Sequence, residues 1–188
     1  MQFFREAIFA PQTTGAIAPS SKYLARVIVD KAGVDGASRI LELGPGTGVF
    51  TERILATKKD GAHFVALERN PNFATDLRAK FPETRIVEGC ATELLSHAAE
   101  HEFHEADSIV SGLPWTIFDS KLQRTILGGI RDVLGQGGTF ATFAYFGPHW
   151  LPGGQNFRAL LRSVFPETRM SPVVIRNFPP AFVYYCRK

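Results

Sequence analysis

The sequence predicts an α/β protein with a doubly wound sheet that is mostly parallel and carries an antiparallel strand at its C-terminal edge. Short apolar segments of strand character alternate with segments of helical periodicity, which is typical of parallel sheets covered by helices. The last two apolar segments lie too close together to hold a helix between them, which favours antiparallel pairing there. With 188 residues, of which 45% are hydrophobic, the chain suits a single domain with a full core.

Helix and strand signals alternate through the first half of the chain. Either Ser20 or Ser21 is a suitable N-cap for a helix that ends at Gly33, and residues 1–36 are expected to form a helical cap on the domain. The predicted strands are Arg39–Leu43, His63–Glu68 and Arg85–Glu88, and the helices between them cover residues 49–57 and Pro71–Lys80.

The second half continues the alternation after a polar stretch at residues 92–105. A strand at 108–111 is followed by a helix at 120–134, which the pair Gly137-Gly138 separates from the next strand. The remaining predicted elements are a strand at 139–145, a helix at 156–165 and two closing strands at 173–176 and 181–185.

Charge is distributed unevenly along the chain, although the net charge is only +3. Residues 1–31 carry +2 and residues 150–188 carry +5, while the segment between them carries −4. Two basic ends favour one face that meets an anionic partner, a membrane or a nucleic acid, with ordinary solvated surface charge as the alternative.

Several classes of protein are disfavoured by the sequence. It contains no apolar run long enough to span a bilayer, and its first residues lack the features of a secretory leader. Cys90 and Cys186 have no metal-ligand spacing, which suggests a reduced, cytoplasmic protein. His97, His101 and His104 lack a carboxylate motif, so we expect a solvated polar face and no metal.

A glycine-rich turn follows the first predicted strand, in the run Glu42-Leu43-Gly44-Pro45-Gly46-Thr47-Gly48. Glycines let the backbone turn sharply and expose N–H groups to a ligand, but the third glycine comes one residue too early for a dinucleotide fingerprint. The run resembles the E-x-G-x-G-x-G pattern of class I S-adenosylmethionine-dependent methyltransferases, whose fold is Rossmann-like. The resemblance implies S-adenosylmethionine as cofactor and S-adenosylhomocysteine as product, with Glu42, Gly44, Gly46 and Gly48 at the cofactor.

Further cofactor contacts are predicted at the ends of the next strands. Glu68, followed by Arg69, ends the second strand, where a carboxylate accepts both ribose hydroxyls. After the third strand, Gly89-Cys90-Ala91 stands where related enzymes carry Gly-Asp-Ala, so backbone groups of Cys90 and Ala91 are expected at the adenine edge. Without that carboxylate, either Glu93 substitutes or the adenine is held less tightly.

The segment Ser111-Gly112-Leu113-Pro114-Trp115 closes the fourth strand, and its first three residues complete the predicted cofactor site. Its Leu-Pro-Trp part is similar to the motif of base-methylating enzymes, but it lacks their Asn or Asp. Trp115 and Tyr145 are the catalytic candidates, because aromatic faces stabilise a methylated ammonium by cation–π attraction. An ordinary core position explains Trp115 equally well, and no general base is assigned.

Four segments resemble the bacterial phospholipid N-methyltransferases and the similar ornithine-lipid N-methyltransferases. They are residues 15–21, 111–115, 142–145 and Asn177-Phe178-Pro179-Pro180-Ala181. The resemblance implies methylation of a lipid head-group amine, either phosphatidylethanolamine, giving phosphatidylcholine, or ornithine lipid. It also implies that Ser20 and Ser21 touch the cofactor or cover the substrate, although N-capping explains one of them.

Two other functions remain open from the sequence: an adenine N-methyltransferase of the ribosomal RNA dimethyladenosine type, and a catalytically silent cofactor-binding module. For the lipid enzyme we expect a monomer, peripheral to the inner face of the cell membrane, with nucleic acid disfavoured as partner. A short interfacial helix at the N-terminus would contact anionic lipids, unless its aromatic residues only cover the sheet edge. Its residues are Phe3, Phe4, Arg5, Ile8 and Phe9.

Overall fold

A computed structural model describes residues 20–101 and 105–188. The predicted interfacial helix at the N-terminus, residues 15–19 and His104 lie outside the described residues. Among the helices that are described, none has both the length and the apolar character needed to cross a membrane.

A seven-stranded sheet forms the centre of the described structure. Its strands are β1 Arg39–Leu43, β2 His63–Glu68, β3 Arg85–Glu88, β4 Ala106–Ser111, β5 Leu134–Tyr145, β6 Thr168–Met170 and β7 Ala181–Arg187. In space they are ordered β3-β2-β1-β4-β5-β7-β6. The first five strands pair in parallel, and β7 runs antiparallel to both of its neighbours. The order reverses between β1 and β4, and ligands bind at such a switch point in open α/β sheets.

Helices cover both faces of this sheet, as the sequence predicts. They are α1 Lys22–Lys31, α2 Val49–Leu55, α3 Pro71–Lys80, α4 Leu94–Glu100, α5 Ser120–Val133 and α6 Pro152–Val164. The first three pack into one apolar cluster and the last three into the other, so each face of the sheet has its own core.

Local signals set several boundaries where the sequence places them. The Asn70 side chain accepts hydrogen bonds from the first amides of α3, and Pro71 occupies the first turn. Ser21 caps α1 in the same way, and Asp119 caps α5. Strands β1, β2 and β3 and helix α3 have the predicted bounds.

The predicted α/β fold, mostly parallel with antiparallel pairing toward its C-terminal edge, is confirmed. The elements after α4 differ from the sequence-based expectation in four places. The predicted strand at 173–176 is wrong, because only Val174 forms an isolated bridge, to Ala181. The edge strand is instead β6, so the antiparallel β7 lies one position inside the edge. Helix α6 begins four residues before the predicted start, and β5 begins directly at the end of α5.

Candidate active site

A cavity of about 150 Å³ opens at the carboxyl ends of β1 and β4, where the strand order reverses. Its lining residues come from the glycine-rich turn, from the starts of α1 and α2, and from the ends of β4 and β5. They are Ser20, Gly44, Pro45, Gly46, Thr47, Val49, Phe50, Gly112 and Phe143. The structure therefore brings Ser20 and three of the predicted glycines together at one site.

The turns after β1 and β4 lie against each other at the cavity. The Gly112 N–H donates to the Leu43 carbonyl oxygen at 2.8 Å. A methyl group on Gly112 would collide with the carbonyl oxygen of Gly44. Gly48, in the left-handed region with φ 82°, then lets the turn enter α2 while packing against Leu77. Gly112 needs to be glycine because the two backbones approach so closely, and Gly48 because of its positive φ.

Glu68 ties the glycine-rich turn to the end of β2. One carboxylate oxygen accepts a hydrogen bond from the Gly46 N–H at 3.0 Å, and the other accepts from the Asn70 N–H at 2.8 Å. A carboxylate has about four lone-pair sites, so each oxygen can accept a second donor. The side chain thus fits a ligand that presents two neighbouring hydroxyl groups, as a ribose does.

Glu42 lies beneath the turn and is fully buried. The Thr51 hydroxyl of α2 donates to its Oε2 at 2.7 Å, whereas its Oε1 has no hydrogen-bond partner among the described residues. Burial raises the pKa of Glu42 to about 8; the bond from Thr51 opposes the rise, and the charge of Glu68 adds to it. A protonated Glu42 therefore joins β1 to α2 at neutral pH.

The segment predicted for the adenine edge forms a 3₁₀ turn, Ala91–Glu93, directly after Cys90. The Thr92 hydroxyl donates to the half-buried Cys90 sulfur at 3.0 Å. The Glu93 carboxylate lies 3.9 Å from Nε2 of His97. Arg69 is exposed beside Glu68 at the neighbouring strand end.

Trp115 lies in the core, which is one of the two placements that the sequence allows. Only 2% of it is exposed, and its ring stacks on Phe157 with centroids 5.0 Å apart. Its indole N–H donates to the Thr142 hydroxyl, which in turn donates to the Ser111 carbonyl. The expectation that Trp115 offers a face to the substrate amine is therefore corrected, because core packing covers the ring. It supports the Ser111–Leu113 turn from below.

Ser111 and Leu113 shape that turn. The Ser111 hydroxyl is buried and accepts from the Leu113 N–H at 3.3 Å. The Leu113 side chain packs against the backbone of Gly44. Both residues are thus beside the cavity, with Gly112 between them.

Tyr145 stands at the end of β5, half-buried, beside the cavity. Its ring lies edge-on to Phe143, a cavity residue, with centroids 5.4 Å apart. Burial raises the pKa of the Tyr145 phenol, so it is neutral under ordinary conditions. The structure keeps Tyr145 near the site, and its catalytic role stays a prediction.

An unforeseen contact holds the start of α1 against the site. The Ser21 N–H donates to Oδ1 of Asn177 at 2.8 Å, and Nδ2 of Asn177 donates to the Pro179 carbonyl at 2.7 Å. Asn177 is only 2% exposed, so the bond is shielded from water. The sequence singles out the segment around Asn177, but nothing in it indicates a partner 156 residues away. Phe143 is likewise a cavity residue that sequence reasoning missed.

His97, Glu100 and His101 form a cluster of possible metal ligands in α4 and at its end. Their ligand atoms lie within 4.8 Å of one another. Ligands of a tetrahedral zinc ion at its usual bond lengths are about 3.4 Å apart. This spacing lies within the 4.8 Å bound, so these three residues are the potential metal ligands among the described residues, and the expectation of no metal stays a prediction.

Comparison with known proteins finds matches to the half of the chain that holds the predicted cofactor site, and one match along almost the whole chain. Residues 20–113 match the family model of ribosomal RNA adenine dimethylase. Ornithine lipid N-methyltransferase of Singulisphaera acidiphila is 33% identical over 177 residues, which is 92% of this chain and 87% of that protein. Ribosomal RNA small subunit methyltransferase A of Prochlorococcus marinus is 31% identical over 102 residues, 53% of this chain and 35% of that protein. The crystal structure of the O-methyltransferase from Bacillus cereus with S-adenosylhomocysteine superposes with a TM-score of 0.71 at 15% identity, covering 100% of this chain and 89% of that chain.

The class of the protein follows from the sheet order together with these matches: it is a class I methyltransferase with S-adenosylmethionine as its cofactor. The glycine-rich turn and Glu68 are the residues that fit this cofactor. Within the class, the chain belongs to the family of ornithine lipid N-methyltransferase, and its residues 20–113 carry the ribosomal RNA adenine dimethylase domain.

Proposed function

We propose that the protein transfers methyl groups from S-adenosylmethionine to the amine of a membrane lipid head group, that of ornithine lipid or of phosphatidylethanolamine. One observation carries the proposal. The similarity to ornithine lipid N-methyltransferase spans 92% of the chain, whereas the ribosomal RNA methyltransferase of Prochlorococcus marinus matches 53%. The part beyond the shared cofactor half holds β5, Tyr145 and the segment around Asn177, where an acceptor-specific enzyme would differ.

The residues of the site have separate tasks in this proposal. Glu68 and the glycine-rich turn hold the cofactor, with Cys90 and Ala91 at the adenine. S-adenosylmethionine, when bound, supplies a methyl group on a positively charged sulfur, and displacement by an amine needs a free lone pair in line with it. The amine begins protonated and must first lose its proton to water or to a nearby acceptor.

Tyr145 is proposed to stabilise the positive charge that remains on the nitrogen after methylation. Its ring stands beside Phe143 at the cavity, and aromatic faces attract quaternary ammonium groups. Half-burial strengthens such an attraction because little water competes with it. Trp115 has no direct part in this step.

The proposal includes the place where the enzyme works. We propose a monomer, peripheral to the inner face of the cell membrane, with residues 1–36 as a cap that adds to the membrane contact.

The test is a search for the acceptor. The protein is expressed in a bacterium that lacks methylated lipids, and the lipid extract is analysed by mass after labelling with methyl-labelled S-adenosylmethionine. We expect new mono- or polymethylated aminolipids that carry the label. More label in ribosomal RNA than in the host without the protein would instead establish the adenine methyltransferase, and no added label in either fraction would refute transfer to both.

Tyr145 is tested with a matched pair of variants. Tyr145→Phe keeps the aromatic face and should retain most of the lipid methylation rate, whereas Tyr145→Leu should lower it about tenfold through the lost cation–π attraction. The melting temperature of each variant reports whether the fold is intact. Equal rates for the two variants would show that the ring face has no such role.

A further inference from the structure

Exposed apolar side chains are concentrated on two segments at one end of the sheet. Residues 146–151 leave the end of β5, and residues 175–178 precede the start of β7. Together they carry five exposed large side chains, which we call the apolar rim: Phe146, Trp150, Leu151, Ile175 and Phe178. Phe178 and Ile175 are 81% and 80% exposed, more than any other large apolar residue described.

The two segments leave the sheet side by side. Tyr145 of β5 is paired with Ala181 of β7, and one step further the Phe146 N–H donates to the Pro180 carbonyl at 2.8 Å. The Phe146 ring then contacts the Trp150 ring, with centroids 4.9 Å apart. Both segments of the rim therefore start from the end of the β5–β7 pair.

This surface adjoins the mouth of the cofactor cavity. Phe143, two residues before Tyr145 on β5, lines the cavity. On the other side Ser20 lines it, and the neighbouring Ser21 is hydrogen-bonded to Asn177, which lies between Ile175 and Phe178 in the chain. A molecule seated on the rim is thus next to the opening.

Basic groups accompany the rim. The Arg176 guanidinium lies 5.0 Å from the centroid of the Tyr23 ring, and the Lys22 ammonium lies 5.6 Å from it. Residues 146–180 contain a single acidic side chain, Glu167. Aromatic and basic side chains on one surface are the combination that holds proteins at the interface of an anionic bilayer.

We propose that the apolar rim is the docking surface of the enzyme for an anionic lipid bilayer, which brings lipid head groups to the cavity mouth. The inference rests on the proposed function, since it supplies the route from membrane to site. The proposed occupant is the bilayer, and not residues 1–19 or a second copy of the chain, because the basic Arg176 lies between Ile175 and Phe178 of the rim and anionic lipids complement its charge. A concentration of exposed apolar side chains of this kind marks an interaction site.

The first experiment uses the intrinsic fluorescence of the full chain. The sequence has two tryptophans, of which Trp115 is 2% and Trp150 is 61% exposed. Vesicles of phosphatidylglycerol and phosphatidylcholine with brominated acyl chains are added. We expect the emission of Trp150 to shift to the blue and to be quenched. In Trp150→Phe, which keeps the apolar ring, the remaining emission should not be quenched.

The second experiment measures partition onto the same vesicles by flotation. The double variant Ile175→Ser, Phe178→Ser should lower the partition coefficient at least about tenfold, because two large apolar groups no longer enter the interface. The matched control is Leu95→Ser on α4, which removes a side chain that is 53% exposed outside the rim, and it should leave partition unchanged. Arg176→Gln should weaken partition onto anionic vesicles but not onto pure phosphatidylcholine.

Two outcomes overturn the docking proposal. No association with anionic vesicles removes the docking surface altogether. Association without quenching of Trp150, and with the double variant unaffected, assigns docking to another surface, such as residues 1–19. Because neither lipid of these vesicles has an amine that can accept a methyl group, the result is independent of methyl transfer. Docking through the rim without lipid methylation would refute the proposed function alone, and lipid methylation without rim-dependent docking would refute the rim alone.

Discussion

Replacing Glu42 with glutamine removes the titration of a carboxyl group that the fold buries completely between β1 and α2. The pKa of Glu42 rises from 4.5 to about 8 in the folded protein, mainly through burial. Between these pH values the folded state keeps a proton that the unfolded state has lost. The stabilising contribution is therefore fully present below the lower pKa and is lost as the pH rises through the higher one.

The size of the effect follows from this window. Each pH unit inside it costs about 1.4 kcal/mol of unfolding free energy, so the loss between pH 6 and pH 8 is about 2–3 kcal/mol. For a domain of this length, that loss lowers the melting temperature by about 5–10 °C. Glutamine resembles the neutral acid and still accepts the Thr51 hydroxyl, so Glu42→Gln should lack this component.

The assay is thermal unfolding of both proteins at a series of pH values, without cofactor, because ligand binding would add its own stabilisation. The wild-type melting temperature should fall relative to that of Glu42→Gln as the pH rises from 6 to 8. The control is Glu83→Gln, whose carboxyl is exposed, and its curve should run parallel to the wild type. If the Glu42→Gln curve is also parallel, the buried carboxyl is not protonated and the reasoning fails.

Three further substitutions test the architecture of the site. Gly112→Ala should destabilise the protein by several kcal/mol and abolish cofactor binding in calorimetry, since the added methyl meets the Gly44 carbonyl; unchanged binding would contradict the close approach. Asn177→Ala leaves the Ser21 N–H without its partner and should cost about 1–3 kcal/mol in denaturant unfolding; a loss within error would mean that the bond is unimportant. Trp115→Phe keeps an aromatic ring in the core but loses the indole hydrogen bond. The free energy of unfolding should drop by about 1 kcal/mol, while kcat stays within about twofold of the wild type. A large fall in kcat with the fold intact would show that Trp115 acts on the substrate.

Local signals explain why the cofactor half was predictable. The cap and proline at Asn70-Pro71 and the glycine-rich turn after β1 act over a few residues, so the sequence places them correctly. The C-terminal part depends on contacts between distant segments. The run at 173–176 is apolar but meets β7 at only one bridge, whereas β6, with the sequence Thr-Arg-Met, is a strand because β7 pairs with it.

The same distinction applies within the site. Glu68 is found from its position at a strand end, and the structure shows it bonded to the glycine-rich turn. Trp115 lies in the core because Phe157 of α6 stacks on its ring. That contact joins distant parts of the chain and cannot be predicted from a local sequence pattern. The hydrogen bond between Ser21 and Asn177 is hidden for the same reason.

That hydrogen bond and the position of β7 have a consequence for the order of assembly during synthesis. β7 is made last of the seven strands, yet it belongs between β5 and β6, and Asn177 lies four residues before its first residue. When the ribosome has released the chain only as far as β6, the glycine-rich turn is complete. Asn177, whose side chain binds the Ser21 N–H at the start of α1, has not yet been released. The emerging polypeptide acquires its finished pocket only when translation has passed the last strand, so a prematurely terminated chain would bear the recognition motifs without a closed site.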